Sequence, residues 1–251
     1  MSDSLWHLKH CNLFHSLTPK ECENLAISSK FRRFPARAPI YLPGEKAEHV
    51  FLVAEGMVKA STITNDGKES ILSFIDQGEL FGEMALLDVS QREEFVEAIE
   101  RSTVVMIPSR VFQELLVVRS DLALAITKLV GLRRVRIERR IRNLMFQSAR
   151  DRLIHLLLDL EEQFGQETSE GVRLRLKLSH QDLGNLIGAT RETVTSLLGQ
   201  LRAEGTIDYK RNKFVLKNVN ALARAVHRVP ISRVEPTNRG LLDFNKLPGS
   251  L

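Results

Sequence analysis

Arg191, Glu192, Thr195 and Ser196 fall within two helical turns of one another in the stretch Ser179–Gly205, SHQDLGNLIGATRETVTSLLGQLRAEG. A guanidinium, a carboxylate and two hydroxyls at this spacing can donate and accept hydrogen bonds toward base edges. The residues around them predict how they are held. Ser179 is placed to cap a first helix, with Asp182 at the capping-box position and Leu183 and Leu186 on its apolar side. Ile187-Gly188-Ala189 supplies a tight turn. Thr190 caps a second helix that carries Val194, Leu197, Leu198 and Leu201 at a 3–4 spacing, and Gly205 stands where such a helix ends. A helix–turn–helix with a polar N-terminal face on its second helix fits a DNA major groove. An ordinary helical hairpin has the same apolar pattern, so the rest of the chain must decide between the two.

The chain has 251 residues, which sets an expectation of two domains, each able to bury its own core. Charges interrupt every apolar run well short of a membrane span, and the start, MSDSLWHLKHC, lacks the apolar segment of a secretory signal. A cytoplasmic protein that does not enter the membrane is expected. Two cysteines, Cys11 and Cys22, suit a reducing compartment and give no disulfide framework. Net charge is +5 but unevenly spread: −6 over residues 1–100, +7 over 101–146 and +4 over 147–251. A basic C-terminal part suggests that only this end meets a polyanion, the alternative being an uneven solvated surface.

Residues 1–35 read as a helical lead-in around Leu5–Leu13 and Pro19–Ser28. From Pro39 to Ile107 the apolar runs are short and rich in β-branched or aromatic residues, such as Val50-Phe51-Leu52-Val53 and Val104-Val105-Met106-Ile107. Gly44, Gly56, Gly67, Gly78 and Gly82 punctuate them, and Asn65-Asp66-Gly67 is a hairpin signal. Many short strands at this spacing predict a small antiparallel β-barrel or sandwich of the roll type. A short helix is expected over Ser109–Leu116. Ser120 reads as the cap of a long one, roughly Asp121 to Met145, with Ile126, Val130, Ile137, Ile141 and Leu144 along one stripe. Such a narrow seam predicts a partner helix, most simply supplied by a homodimer, or docking on the chain's own β-domain. Arg133, Arg134, Arg136, Arg139, Arg140 and Arg142 crowd this helix, and the acidic β-domain is expected to neutralise them. Phe146-Gln147 reads as a hinge. Ser148 caps the next helix, which carries Leu153, Leu156, Leu157 and Leu160. A polar loop at Gly165–Gly171, a strand at Arg173–Leu178 and, after the helix–turn–helix, a hairpin over Thr206–Lys217 complete the pattern. The hairpin tip, Lys210-Arg211-Asn212-Lys213, makes a basic wing suited to phosphate. The resulting division is residues 1–119, 120–146, 147–229 and a flexible tail at 230–251.

This order of elements, with GEKAEHVFLVAEGMVKAS (Gly44–Ser61), DGKESILSFIDQGELFGEMALL (Asp66–Leu87) and LKLSHQDLGNLIGATRETVTSLLGQLRAEGTI (Leu176–Ile207), resembles the CRP/FNR superfamily of bacterial transcription regulators over nearly all of residues 10–218. The resemblance implies an α+β fold: an N-terminal antiparallel β-roll of cyclic-nucleotide-binding type, a long dimerisation helix and a C-terminal winged helix–turn–helix. It implies a homodimer on palindromic promoter sites, with no enzyme activity. It also places the loop Gly165–Gly171 where family members contact RNA polymerase, which would make the protein an activator.

In cyclic-AMP-binding members a Gly-Glu pair and a following Arg-Ser hold the ribose and the cyclic phosphate. Here Gly82-Glu83 matches the first pair. The second reads Gln91-Arg92-Glu93-Glu94-Phe95 and is one residue short. Arg92 stands in for the arginine, whereas Glu93 replaces the small hydroxyl residue and adds repulsion to an anion site. The Thr-Ser pair that such members offer to adenine is Ile137-Glu138 here. Control by cyclic AMP is therefore not expected, and Gly82-Glu83 is read as a structural turn. Iron–sulfur members need about four cysteines, and this chain has two. His7, His10, Cys11 and His15 lie close in sequence, and the first three would share a helical face, but a solvated polar face is the expected reading. No haem, other cofactor or metal is expected.

For the reading helix, Arg191-Glu192 matches the Arg-Glu that opens it in the cyclic-AMP-receptor branch. The arginine would take guanine O6 and N7, and the glutamate would accept from cytosine N4. Ser196 stands where that branch has a further basic residue. Thr190, Thr193, Ser179 and Lys213 are candidates for phosphate, and His180 and Gln181 for the backbone or a flanking base.

Overall fold

The computed structural model describes residues 7–8, 11–87 and 89–228; part of the lead-in expected around Leu5–Leu13 and the tail 230–251 lie outside the described residues. The described chain forms two compact units, divided inside one long helix after Leu132.

The first unit contains α1 (Pro19–Ser28), eight strands, α2 (Ser109–Val118) and the start of α3 (Ser120–Phe146). The strands are β1 (Lys30–Phe34), β2 (Pro39–Tyr41), β3 (His49–Glu55), β4 (Val58–Ile63), β5 (Glu69–Ile75), β6 (Leu80–Phe81), β7 (Phe95–Ala98) and β8 (Ser102–Pro108). They make two four-stranded sheets, β1-β8-β3-β6 and β2-β7-β4-β5. In β3 the side chains alternate between two cores. Phe51 and Val53 join Phe34, Tyr41, Val58, Ile75, Phe81 and Val96. Val50, Leu52 and Ala54 join Phe14, Leu25, Phe112 and Leu122 beneath the helices. Burial on both faces explains why β3 reads as an unbroken apolar run and not as an alternation. The hairpin signal at Asn65-Asp66-Gly67 joins β4 to β5, with Thr64 N donating to Lys68 O at 2.9 Å.

Three expectations are corrected. Residues 1–35 do not all belong to a helical lead-in, because Lys30–Phe34 is strand β1, paired antiparallel with β8 from Lys30↔Met106 to Phe34↔Ser102. Its sequence, KFRRF, exposes most of its side chains because β1 is an edge strand, so it carries little apolar signal. Gly165–Gly171 is not simply a loop. Gly165–Thr168 is strand β9, paired with β10 (Gly171–Leu174). The basic-faced strand at Arg173–Leu178 accordingly ends at Leu174. Leu176 and Leu178 are buried all the same, from irregular backbone.

The second unit contains the rest of α3, α4 (Ala149–Phe164), β9, β10, α5 (His180–Ile187), α6 (Arg191–Ala203), β11 (Ile207–Lys210), β12 (Lys213–Leu216) and α7 (Val219–Ala225). Its sheet runs β11-β12-β10-β9. Helix α4 packs against α5, α6, α7 and β10. Its Leu153, Ile154, Leu157 and Leu160 are buried, as are Leu183, Leu186, Val194, Leu198, Leu201 and Phe214 on the elements that follow. Each such side chain contributes about 1.5–3 kcal/mol when fully buried.

Along α3 the seam residues have different surroundings. Ile126 is buried in the core beneath the roll. Val130, Ile137 and Ile141 are 39%, 42% and 51% exposed. Leu144 lines a cleft with Leu156, Leu186 and Ile187. Two of the crowded arginines find carboxylates outside the β-roll: Arg134 pairs with Glu138 of α3 at 2.7 Å and Arg139 with Asp159 of α4 at 3.1 Å.

Candidate nucleic-acid interface and effector pocket

Local hydrogen bonds fix the helix–turn–helix at each end. Ser179 and Asp182 form a capping box: Asp182 N donates to Ser179 Oγ at 3.0 Å, and Ser179 N donates to Asp182 Oδ2 at 2.8 Å. The turn needs Gly188, whose φ of +63° lies in the left-handed region and ends α5. Thr190 then caps α6 by accepting from Thr193 N at 3.2 Å. At the far end Gly205 N donates to Arg202 O at 3.0 Å and Thr206 N to Leu201 O at 3.2 Å, the paired closure of a Schellman motif.

With Val194, Leu198 and Leu201 buried, α6 turns Arg191, Glu192, Thr195 and Ser196 to the surface, and all four are exposed. The Glu192 carboxyl is held below its usual range by its own backbone N–H and by the Thr190 hydroxyl. Thr195 donates its hydroxyl proton to Arg191 O at 2.9 Å and lies 2.8 Å from His180 Nδ1. That link between α5 and α6 escaped the sequence reading, because the two residues are 15 apart and meet only when the helices cross. Of the phosphate candidates, Ser179 is engaged in its capping box; Gln181, expected at the backbone or a flanking base, donates to Asn185 Oδ1 at 2.8 Å. Lys213 opens β12, exposed.

The wing closes in two residues, Arg211 and Asn212, both at positive φ (+49° and +64°). Two such residues between paired strands define the twist-matched hairpin turn, which places Lys210, Arg211 and Lys213 on one basic tip. Leu178 N donates to Asn212 O at 3.2 Å, tying that tip to the residue before Ser179.

In the β-roll, Gly82, Glu83 and Arg92 come together, but Arg92 points inward. Its guanidinium is buried and donates through Nη1 to Gly82 O at 3.0 Å and through Nη2 to His49 O. It lies 4.5 Å from the Tyr41 ring centroid and 5.2 Å from that of Phe51. Burial lowers its pKa, opposed by the phenol of Tyr41 and the carboxylates of Glu94, Glu45 and Glu83. Nε is buried with no hydrogen-bond partner. The Tyr41 hydroxyl donates to Glu94, and burial, then that carboxylate, push the phenol far above its usual pKa. Glu94 lies in the Gln91–Phe95 segment compared above, whereas no motif pointed to Tyr41, its partner 53 residues away. A cyclic phosphate taken up by the Arg92 guanidinium would have to displace these contacts.

The described histidine and cysteine candidates near the start of the chain have different surroundings. His7 is buried and stacks on Phe31 at 5.5 Å, so it is not the solvated residue expected. Cys11 donates to Gly78 O at 3.2 Å, and burial raises its thiol pKa to about 11. His15 is exposed, and His10 lies outside the described residues. Among the described residues no three His, Cys, Asp or Glu are grouped to hold a metal ion, and no helix is long and apolar enough to cross a membrane.

Fold and interface together define a class: a transcription regulator in which a winged helix–turn–helix follows, along the chain, a β-roll of cyclic-nucleotide-binding type. Residues 31–118 match the cyclic nucleotide-binding domain and residues 151–225 the Crp-like helix-turn-helix domain. The chain is 31% identical over 197 residues to the global nitrogen regulator of Synechococcus elongatus, covering 78% of this chain and 89% of that protein. It is 26% identical over 203 residues to the cAMP-activated global transcriptional regulator CRP of Pasteurella multocida (80% and 88%). Among solved structures, the c-di-GMP-responsive global regulator CLP of Xanthomonas campestris aligns with a TM-score of 0.66 at 26% identity, over 79% of this chain and 99% of that one. CooA from Carboxydothermus hydrogenoformans shares the fold, with a TM-score of 0.71 at 22% identity over 90% and 97%. The chain belongs to the CRP/FNR family of transcription regulators.

Proposed function

We propose that this protein is a non-enzymatic, homodimeric regulator that reads palindromic DNA in the cytoplasm and does so without cyclic AMP. The observation that carries the DNA reading is the exposure of Arg191, Glu192 and Ser196 on a helix fixed at both ends. In the dimer two copies of α6 enter successive major grooves, about one helical turn apart. Arg191 takes guanine, Glu192 takes cytosine, and Thr190, Thr193 and the Lys213 wing take phosphate. The exposed Val130, Ile137 and Ile141 support pairing through α3. Ser169 and Glu170, exposed at the β9–β10 turn, are the surface offered to RNA polymerase for activation.

Independence from cyclic AMP is supported by Arg92, whose guanidinium already binds Gly82 O and His49 O between Tyr41 and Phe51. Relatives named for cyclic AMP and for c-di-GMP differ in effector, so family membership does not choose one. A second reading, an effector other than cyclic AMP, is favoured by one observation: the buried Nε of Arg92 has no partner.

Fluorescence anisotropy of the pure protein against a palindromic duplex, with and without cyclic AMP and cyclic GMP, tests both parts. Tight sequence-selective binding without nucleotide is expected. Strict dependence on cyclic AMP would overturn the pocket argument, and absence of sequence-selective binding under every condition would overturn the regulator's proposed mechanism.

A further inference from the structure

Thr195 has a single hydroxyl proton, and it is donated to Arg191 O at 2.9 Å. The same oxygen lies 2.8 Å from His180 Nδ1. With its proton committed, Thr195 accepts there, which places a hydrogen on Nδ1 of the imidazole. The ring is fixed from the other side as well. It packs edge-on against Tyr209 of β11 at 5.5 Å, and Tyr209 stacks on Phe214 at 5.6 Å. Protonating His180 adds a hydrogen only at Nε2, so the link to Thr195 survives either charge state.

A hydroxyl so engaged cannot donate to the acceptors of the major groove, guanine O6 and N7, adenine N7 or thymine O4. The other branch of the Thr195 side chain is its γ-methyl group, carried by a residue that is exposed on α6 four places after Arg191. A methyl group on a groove-facing helix is complementary to the C5-methyl of thymine.

We infer that Thr195 reads thymine through its methyl group and that His180 is the positioning residue that makes it do so. This rests on α6 being the DNA-reading helix proposed above. His180 need not touch a base; by donating to the Thr195 oxygen it closes the acceptor side of the hydroxyl, which would otherwise turn toward the donors of adenine N6 or cytosine N4.

The test starts by letting the full-length protein select duplexes from a random pool. Each thymine of one half-site is then replaced by deoxyuridine, and binding is compared for wild type, Thr195→Val, Thr195→Ser and His180→Ala. Wild type is expected to lose about fourfold in affinity at one position, the worth of one buried methyl group. Thr195→Val keeps that loss, because it retains the γ-methyl and exchanges the hydroxyl for a second methyl that makes no hydrogen bond. Thr195→Ser abolishes it. His180→Ala lowers the thymine-over-uracil ratio below about twofold, whereas a merely structural role for His180 would weaken all duplexes equally and leave the ratio intact. Wild type insensitive at every thymine, or Thr195→Ser as sensitive as wild type, would overturn the inference while leaving DNA reading standing. A pool that enriches no sequence would instead bring down the DNA reading itself.

Discussion

The carbonyl oxygen of Gly82 accepts a hydrogen bond from Arg92 Nη1 at 3.0 Å, and a Cβ placed on Gly82 would lie 2.8 Å from that same nitrogen. Gly82 also has a φ of +69°. Both facts require glycine here: a side chain would strain the backbone and push the guanidinium off its carbonyl. Gly82→Ala is therefore expected to cost about 2 kcal/mol of stability, read as a lower midpoint in urea denaturation. An unchanged midpoint would mean that Arg92 is not seated against Gly82.

Arg191→Ala should weaken specific DNA binding by about 1–3 kcal/mol and relax discrimination at one base pair per half-site. Anisotropy on matched and scrambled duplexes checks this. Equal losses on both would show that Arg191 meets only phosphate.

Thr190 has a structural and a proposed binding role, which two substitutions separate. Thr190→Ala removes the cap of α6 and should cost about 1 kcal/mol of stability. Thr190→Asp keeps a capping oxygen and suits the helix N-terminus, so stability is retained. The new carboxylate would nevertheless repel phosphate, and DNA binding should fall. A stable Thr190→Asp variant that binds DNA as wild type does would remove Thr190 from the interface.

Three histidines tie stability to pH. Burial holds His49, His155 and His180 below their ordinary pKa; Arg228 adds to the effect at His155 and Arg191 at His180. Each folded pKa is depressed, so the unfolded chain binds more protons, and the contribution is complete above the unfolded histidine value of about 6.5. It is lost as pH falls through the folded values. Glu162, raised chiefly by burial, acts in the opposite sense, as its protonated form is favoured in the fold. The urea midpoint should therefore be lower at pH 5.5 than at pH 7.5, and replacing Glu162 with Gln should steepen that fall. A midpoint that rises on acidification would contradict the histidine assignment.

By itself the sequence determined the parts whose causes are local. The Ser179 and Thr190 caps, the Gly188 turn and the 3–4 spacing of Val194, Leu198 and Leu201 specify α5 and α6 and put Arg191 and Glu192 on their open face. The basic tip at Arg211-Asn212 is equally local, because two residues make the turn. Strand β1 was not legible: KFRRF becomes a strand only when β8 offers it an edge. Strand β9 likewise exists only because β10 pairs with it. Only the tertiary structure decided the rest. Arg92 is near Gly82 in sequence, yet whether its guanidinium faced a ligand or the chain's own carbonyls depended on Tyr41 and Phe51, brought from two other strands. His180 and Thr195 are unremarkable at their separate positions. Their hydrogen bond exists because two helices cross within reach of it, and distances across a crossing are set by packed cores, which no local pattern records.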